Sequence, residues 1–184
     1  MGTSEDWQAS SVQIAGLKKQ LDARGLTEKV LARCSPQTQA VMRDAYRARW
    51  HAGTVLVEVS MSIVTELGED GFAQLNYEMT RASFGPILRP MLQVALALTG
   101  RTPATVLSRV PAAVQTALKN VTITWTANGA RAGTLEFIYP CDIHTETLSA
   151  WLGAMRFVEE LCGQPLTWDE KRVERDRVVL RVSW

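Results

Sequence analysis

Residues 121–184 constrain the fold most, because their polarity alternates with the period of β-strands. Residues 121–126 alternate apolar side chains with threonine, and residues 134–139 place every second side chain on one apolar face. Asn128 and Gly129 lie between these segments and tolerate the positive backbone angles of a tight connection, so we expect a hairpin. Pro140 should end the second strand, because proline cannot donate a hydrogen bond to a neighbouring strand.

A helix is predicted next, over about residues 144–162. Asp142 or Thr145 can cap its start, and Gly163 followed by Pro165 should end it. An apolar stripe with helical spacing predicts that one face packs on the sheet. The stripe consists of Leu148, Trp151, Leu152, Met155, Val158 and Cys162.

Two further strands are predicted at the end of the chain. Residues 166–174 are highly charged, as expected of an edge strand that resists further pairing, whereas residues 178–184 alternate like a core strand. Four arginines here could form an anion-binding strip, but the neighbouring acidic residues make cross-strand ion pairs the better interpretation. The arginines are Arg172, Arg175, Arg177 and Arg181, and the acidic residues are Glu170, Glu174 and Asp176.

The preceding two thirds of the chain reads mainly as helix. Residues 54–67 fit either a strand or a helix, and their length favours helix. Gly68 to Gly71 should form a turn, and Gly85 with Pro86 should stop a helix. The other predicted helices cover residues 7–23, 26–32, 72–84, 87–98 and 103–119. One more helix is predicted to start at Ser35-Pro36.

The chain is therefore predicted to be one α+β domain over residues 1–184. Residues 1–6 are expected to be disordered, residues 7–120 helical, and residues 121–184 an antiparallel strand-strand-helix-strand-strand unit packed against the helices. The net charge of +1 argues against a nucleic-acid binder that relies on a basic field. No apolar run is long enough to span a membrane, and the polar first residues lead us to expect no secretory signal. Three widely spaced cysteines favour the cytoplasm.

Residues suited to catalysis are few, so we predict a protein that is not an enzyme. The chain contains no nucleophile elbow, P-loop or dinucleotide-binding motif, and its only histidines are His51 and His144. Cys141 and His144 have the spacing of half a zinc site, but no second pair accompanies them, so no metal is predicted. A nucleophile–base role for this pair lacks an orienting acid. We expect His51 to be a structural residue at a helix C-terminus.

The sequence resembles a known group of domains in its last third. This part of the chain is similar to the end of the vinyl-4-reductase-type domain. The similarity covers the segment from Leu148 through Trp151 to Gly163, the charged strand that follows, and the strand that ends at Trp184. That domain is akin to transport-protein-particle subunits and haem-nitric-oxide-binding domains. The upstream pattern of Tyr46 and Trp50, with Gly71-Phe72 and the Gly85 segment, is similar to an uncharacterised myxobacterial paralogous family.

The resemblance implies a helical front on an antiparallel sheet, dimerisation, and often an apolar ligand chamber. The chain shows no match to the haem-binding histidine motif of the haem domains, and no position corresponds to the lipid-bearing cysteine of the trafficking proteins. The leading hypothesis is a sensory or protein-interaction module without a cofactor. It could hold a small apolar ligand, with Trp151, Met155 and Met91 as candidate contacts, and form a homodimer through its helices. The alternative is a sensor that binds haem or another cofactor, or an unrecognised enzyme, through His51 or His144.

Overall fold

The computed structural model describes residues 6–45, 49–99 and 102–184, with side chains described outside residues 84–99. Seven strands and seven helices follow one another in this part of the chain. The strands are β1 (Gln8–Ser10), β2 (Trp50–Ala52), β3 (Leu118–Lys119), β4 (Thr122–Ala127), β5 (Ala132–Ile138), β6 (Thr167–Val173) and β7 (Arg177–Ser183). The helices are α1 (Ser11–Ala23), α2 (Thr27–Leu31), α3 (Pro36–Arg43), α4 (Gly53–Thr99), α5 (Pro103–Leu107), α6 (Val110–Gln115) and α7 (Glu146–Cys162).

The C-terminal unit has the predicted strand-strand-helix-strand-strand order and forms an antiparallel sheet, which confirms the α+β class. Its strand order is β4-β5-β7-β6, so the charged strand β6 lies at an edge. Paired residues such as Leu135 and Leu180 place their buried side chains on one face of the sheet. The opposite face carries ion pairs, among them the cross-strand pair of Arg181 with Glu170 at 3.2 Å and the pair of Arg172 with Glu174, at the end of β6, at 3.1 Å. These arginines are therefore paired with acidic side chains, as the ion-pair interpretation predicted.

Helix α7 lies between this sheet and the long helix α4. Trp151 stacks on Phe137 of β5, with ring centroids 3.8 Å apart, which places one face of α7 on the sheet. On the other side, a Cβ on Gly153 would stand 2.1 Å from the carbonyl oxygen of Ala73 in α4. The two helices therefore touch backbone to backbone at Gly153. Helix α7 ends as predicted at Gly163, which has a left-handed φ of 68°.

Residues 54–67 are helical, which resolves the ambiguity of that segment in favour of the helix. The turn predicted at 68–71 is instead a kink, because only Gly68 leaves helical geometry, with φ 70° and ψ 174°. The helix stop predicted at Gly85 and Pro86 is wrong, since the helical backbone continues to Thr99. A proline removes one hydrogen bond from a helix, and a long helix can retain its other bonds.

A second, three-stranded sheet with order β2-β1-β3 occurs within the region predicted to be helical. The first predicted helix therefore starts later than expected, at Ser11, where the Ser10 side chain accepts the backbone N–H of Gln13. This shift turns Val12 to the surface, 54% exposed, and puts Ile14 with Leu17 in the core. Similarly, the helix predicted over 103–119 is two short helices followed by β3. None of the described helices is long and apolar enough to cross a membrane.

Candidate functional site

A partly open, mostly apolar cavity of about 370 Å³ is the candidate site, and we call it the chamber. Helices α1, α4, α5, α6 and α7 surround it, together with the segment that joins β5 to α7. Its buried lining residues include Trp7, Leu17, Phe72, Met79, Val106, Tyr139, Trp151, Met155 and Phe157. A chamber of this volume and character is typical of small-molecule sites.

Two of the three predicted contact residues line the chamber. Trp151 is 9% exposed and Met155 is 2% exposed, as the apolar stripe of α7 predicted. The third candidate, Met91, lies in the part of α4 whose side chains are outside the described set. The role of these residues as ligand contacts stays a prediction.

Tyr139 provides a buried polar group in this wall. Trp151 Nε1 donates a hydrogen bond to its hydroxyl oxygen over 3.0 Å, and the ring of Trp7 meets it edge-on at 5.5 Å. Burial raises the pKa of Tyr139 far above its ordinary value, although the bond from Trp151 acts in the opposite direction. The phenol is therefore neutral throughout the physiological range and can act as a hydrogen-bond donor toward the chamber.

Trp7 forms the wall between the chamber and the three-stranded sheet. Its indole lies against Gly53, where an added Cβ would stand 2.1 Å from the ring, so only glycine fits at the start of α4. The side chain of Trp7 also hydrogen-bonds Cys141, whose pKa is raised by burial and lowered to a smaller extent by that bond. Sequence analysis missed Trp7 because it treated this residue as the start of an amphipathic helix.

The two residues of the predicted half-site both line the chamber, in the segment between β5 and α7. Cys141 is buried beside Trp7, whereas His144 is exposed at the opening. Within the described residues, no group of three or more His, Cys, Asp or Glu side chains could hold a metal ion. The absence of a bound metal at this pair stays a prediction.

The prediction that His51 lies at a helix C-terminus is wrong. His51 lies in β2, where it pairs with Ala9 of β1. The reason is local: α4 begins only at Gly53, so Trp50 and His51 precede the helix and extend along β1. The described lining of the chamber includes His144 and does not include His51. Thr145, one of the two predicted caps of α7, occupies the N-cap position, but its hydroxyl donates to the Glu146 carboxylate at 3.4 Å and accepts no backbone N–H of the helix.

Comparison with known proteins yields a fold but no family. No family model matches the sequence, and no curated protein matches it. The chain is similar to the Fe(II) unliganded H-NOX protein from K. algicida, with a TM-score of 0.63, 10% identity and 95% of each chain covered. It is also similar to a mutant of T. tengcongensis H-NOX, with a TM-score of 0.55, 10% identity and 91% of this chain and 92% of that chain covered. A third similar structure comes from work on haem redox potential and porphyrin distortion. Its TM-score is 0.63 at 8% identity, with 95% of this chain and 99% of that chain covered.

The chamber has side chains of the types that hold haem in proteins. Its apolar walls suit the macrocycle, and Cys141 and His144 are residue types that ligate haem iron. Arg109 lines the chamber and is exposed, so it can pair with a carboxylate at the opening. The residues present thus fit the group at one corner of the chamber, between β5 and α7.

Proposed function

We propose that this chain is a non-enzymatic sensor domain that binds haem in the chamber. The observation that carries the proposal is the fold, which more than nine tenths of the chain shares with solved H-NOX structures. The sequence left two ligands open, and the fold comparison favours haem over a purely apolar molecule. The three cysteines are free thiols, which supports a reducing compartment such as the cytoplasm.

In this proposal the segment between β5 and α7 holds the iron. His144 is the one histidine that lines the described chamber, so it would be the first candidate to bind the iron, with Cys141 as the second. Trp151 and Met155 would contact the macrocycle from α7, and Arg109 would pair with a carboxylate at the opening. Bound haem would supply an iron centre for a diatomic gas. The protein's own part is to orient the group and to keep water from it.

A second candidate function is the binding of a small apolar molecule without iron. The deepest polar groups of the chamber support it, because burial raises the pKa of both Tyr139 and Cys141 and leaves them uncharged. Apolar walls with uncharged polar groups in their buried part bind apolar ligands by burial and aromatic contact. In this case Trp151 and Met155 keep their role as contacts, and His144 has none.

A haemin titration of the purified protein tests the first candidate. We expect a Soret band that saturates at one haem per chain and a spectrum that changes in the His144→Ala variant. His51→Ala is the matched control, because it removes the other histidine from a position outside the described chamber lining. Cys141→Ser tests the second donor in the same way. A titration that gives only the spectrum of free haemin would overturn the haem proposal and leave the apolar ligand.

A further inference from the structure

His51 is a buried imidazole with an unsatisfied atom. Its side chain is 7% exposed, and its Nε2 has no hydrogen-bond partner in the described part of the chain. Buried polar groups are nearly always hydrogen-bonded, so an exception calls for an explanation. The histidine lies outside the described chamber lining, and the proposed haem site does not account for it.

The surroundings of His51 favour the uncharged imidazole. Burial lowers its pKa below the ordinary value, Arg49 lowers it further, and Asp44 opposes both. Arg49 and Asp44 form an ion pair at 3.0 Å, and this pairing reduces the stabilisation that Asp44 can give to a protonated His51. The facing strand β1 carries only Gln8, Ala9 and Ser10, and the first four residues of α4 carry no charge. Within the described residues, nothing here accepts a hydrogen bond from a protonated Nε2.

The strand pairing of His51 connects it to the wall of the chamber. The Gly53 N–H donates to the Trp7 carbonyl over 2.9 Å, and the Ser11 N–H donates to the Arg49 carbonyl over 2.9 Å. These two bonds lie on either side of the His51–Ala9 pair, and Trp7 rests on Gly53. The ladder between β1 and β2 is only three residue pairs long. Its opening would break the backbone bond that holds Gly53 against Trp7 and so loosen Trp7 in the wall, while β1 keeps its pairing with β3.

We propose that protonation of His51 opens the β1–β2 pairing and loosens Trp7 in the chamber wall, which makes access to the chamber pH-dependent. A charged imidazole without an acceptor cannot remain buried at low cost, so the strand moves to bring it to water. The direction follows from linkage. The open form binds the proton more tightly, so acidification favours opening below the ordinary pKa of histidine. This inference goes beyond haem binding and holds whichever ligand occupies the chamber.

Hydrogen exchange at the β1 and β2 amides tests the inference, with His51→Gln as the variant and His144→Gln as the matched control. Between about pH 7.5 and about pH 5.5, after correction for intrinsic exchange rates, we expect wild type and the control to lose protection. The opening equilibrium should rise by up to about tenfold per pH unit while His51 titrates. His51→Gln should keep its protection, because an amide does not protonate. Nile red should likewise bind the chamber more strongly at the lower pH in wild type but not in His51→Gln.

The helical circular dichroism signal, which should stay constant over this range, separates local opening from global unfolding. If His51→Gln does not fold, His51→Asn takes its place with the same expectation. An equal loss of protection in the His51 variant and wild type, or no loss in wild type, would overturn the inference. Neither result bears on the Soret band, so the haem proposal is tested separately.

Discussion

The indole Nε1 of Trp151 donates a hydrogen bond to the hydroxyl of Tyr139 over 3.0 Å, and this buried bond ties α7 to the end of β5. Both residues line the chamber, and Trp151 also stacks on Phe137 with an interplanar angle of 22°. The sheet, the helix and the candidate site therefore share a single cluster of aromatic side chains. A change at Trp151 should affect both stability and ligand binding.

The first prediction concerns the free energy of unfolding of Trp151→Ala. The loss should be about 3–5 kcal/mol, as for other buried aromatic residues cut to alanine. Trp184→Ala is the control, because Trp184 is only half-buried and meets Trp125 at 6.4 Å. Urea denaturation monitored by circular dichroism measures both variants. An equal loss in the two variants would show that Trp151 has no special place in the core.

The second prediction concerns the contact between α7 and α4. A methyl group at Gly153 would collide with the backbone oxygen of Ala73, which cannot turn aside as a side chain can. Gly153→Ala should therefore lower the free energy of unfolding by about 1–3 kcal/mol or more. Gly163→Ala meets no atom within 4 Å and suffers only from its left-handed backbone, so its loss should be the smaller of the two. The reverse order would contradict the close helix crossing.

The sequence located the C-terminal sheet and α7 because long, regular alternation leaves little choice of register. Ile123, Leu135 and Leu180 are all buried, as their alternation with polar residues predicted. The strands β1, β2 and β3 were missed because segments of two or three residues are too short to show a period. Because β2 was not predicted, the position of His51 in that strand was not predicted either.

The chamber could be predicted only in part. Trp151 and Met155 share the α7 stripe, and that local pattern was enough to place both on the buried face of α7, where they line the chamber. Trp7 and Tyr139 lie far apart along the chain, before β1 and after β5, and their rings meet edge-on only in the folded protein. Contacts between such distant segments depend on tertiary packing, which periodicity in a single segment does not report. For the same reason, the sequence could not show that Nε2 of His51 is buried without a hydrogen-bond partner among the described residues.

The third prediction concerns acid stability. Hydrogen bonds from Lys29, and then from Arg33 at 2.8 Å, hold the pKa of Glu66 below its ordinary value of 4.5. A carboxylate with a lowered pKa contributes stability above its unfolded pKa, and this contribution is lost as the pH falls through the folded value. Glu66→Gln should therefore show a shallower decline of unfolding free energy below about pH 4.5 than wild type.

Glu28→Gln is the control for this measurement. Its side chain is 84% exposed and lies 3.9 Å from Arg43, so it removes the same charge from a solvated position. We expect its acid decline to follow that of wild type. A Glu66→Gln curve that is parallel to wild type would contradict the assigned ion pairs.

The fourth prediction is that the protein is a homodimer. The sequence argument used apolar residues of the helical part, but Val59 and Ile63 are fully buried in the chain's own core and cannot serve a partner. The remaining argument concerns the apolar segment 87–98, whose side chains lie outside the described set. Light scattering should give twice the chain mass of 20.4 kDa at micromolar concentration. A mass of one chain that does not change on concentration would end the proposal.

The most direct test of the account is a native mass spectrum of the protein expressed in cells supplied with haem precursor. We predict an adduct with the mass of one haem per chain, released on denaturation. Ala154→Phe, on the α7 wall, should reduce the adduct by filling the chamber, whereas Ala112→Phe, at an exposed position outside the described lining, should not. A spectrum of wild-type protein with no adduct at all, at one chain mass or its multiple, would contradict the claim that this chamber holds a ligand.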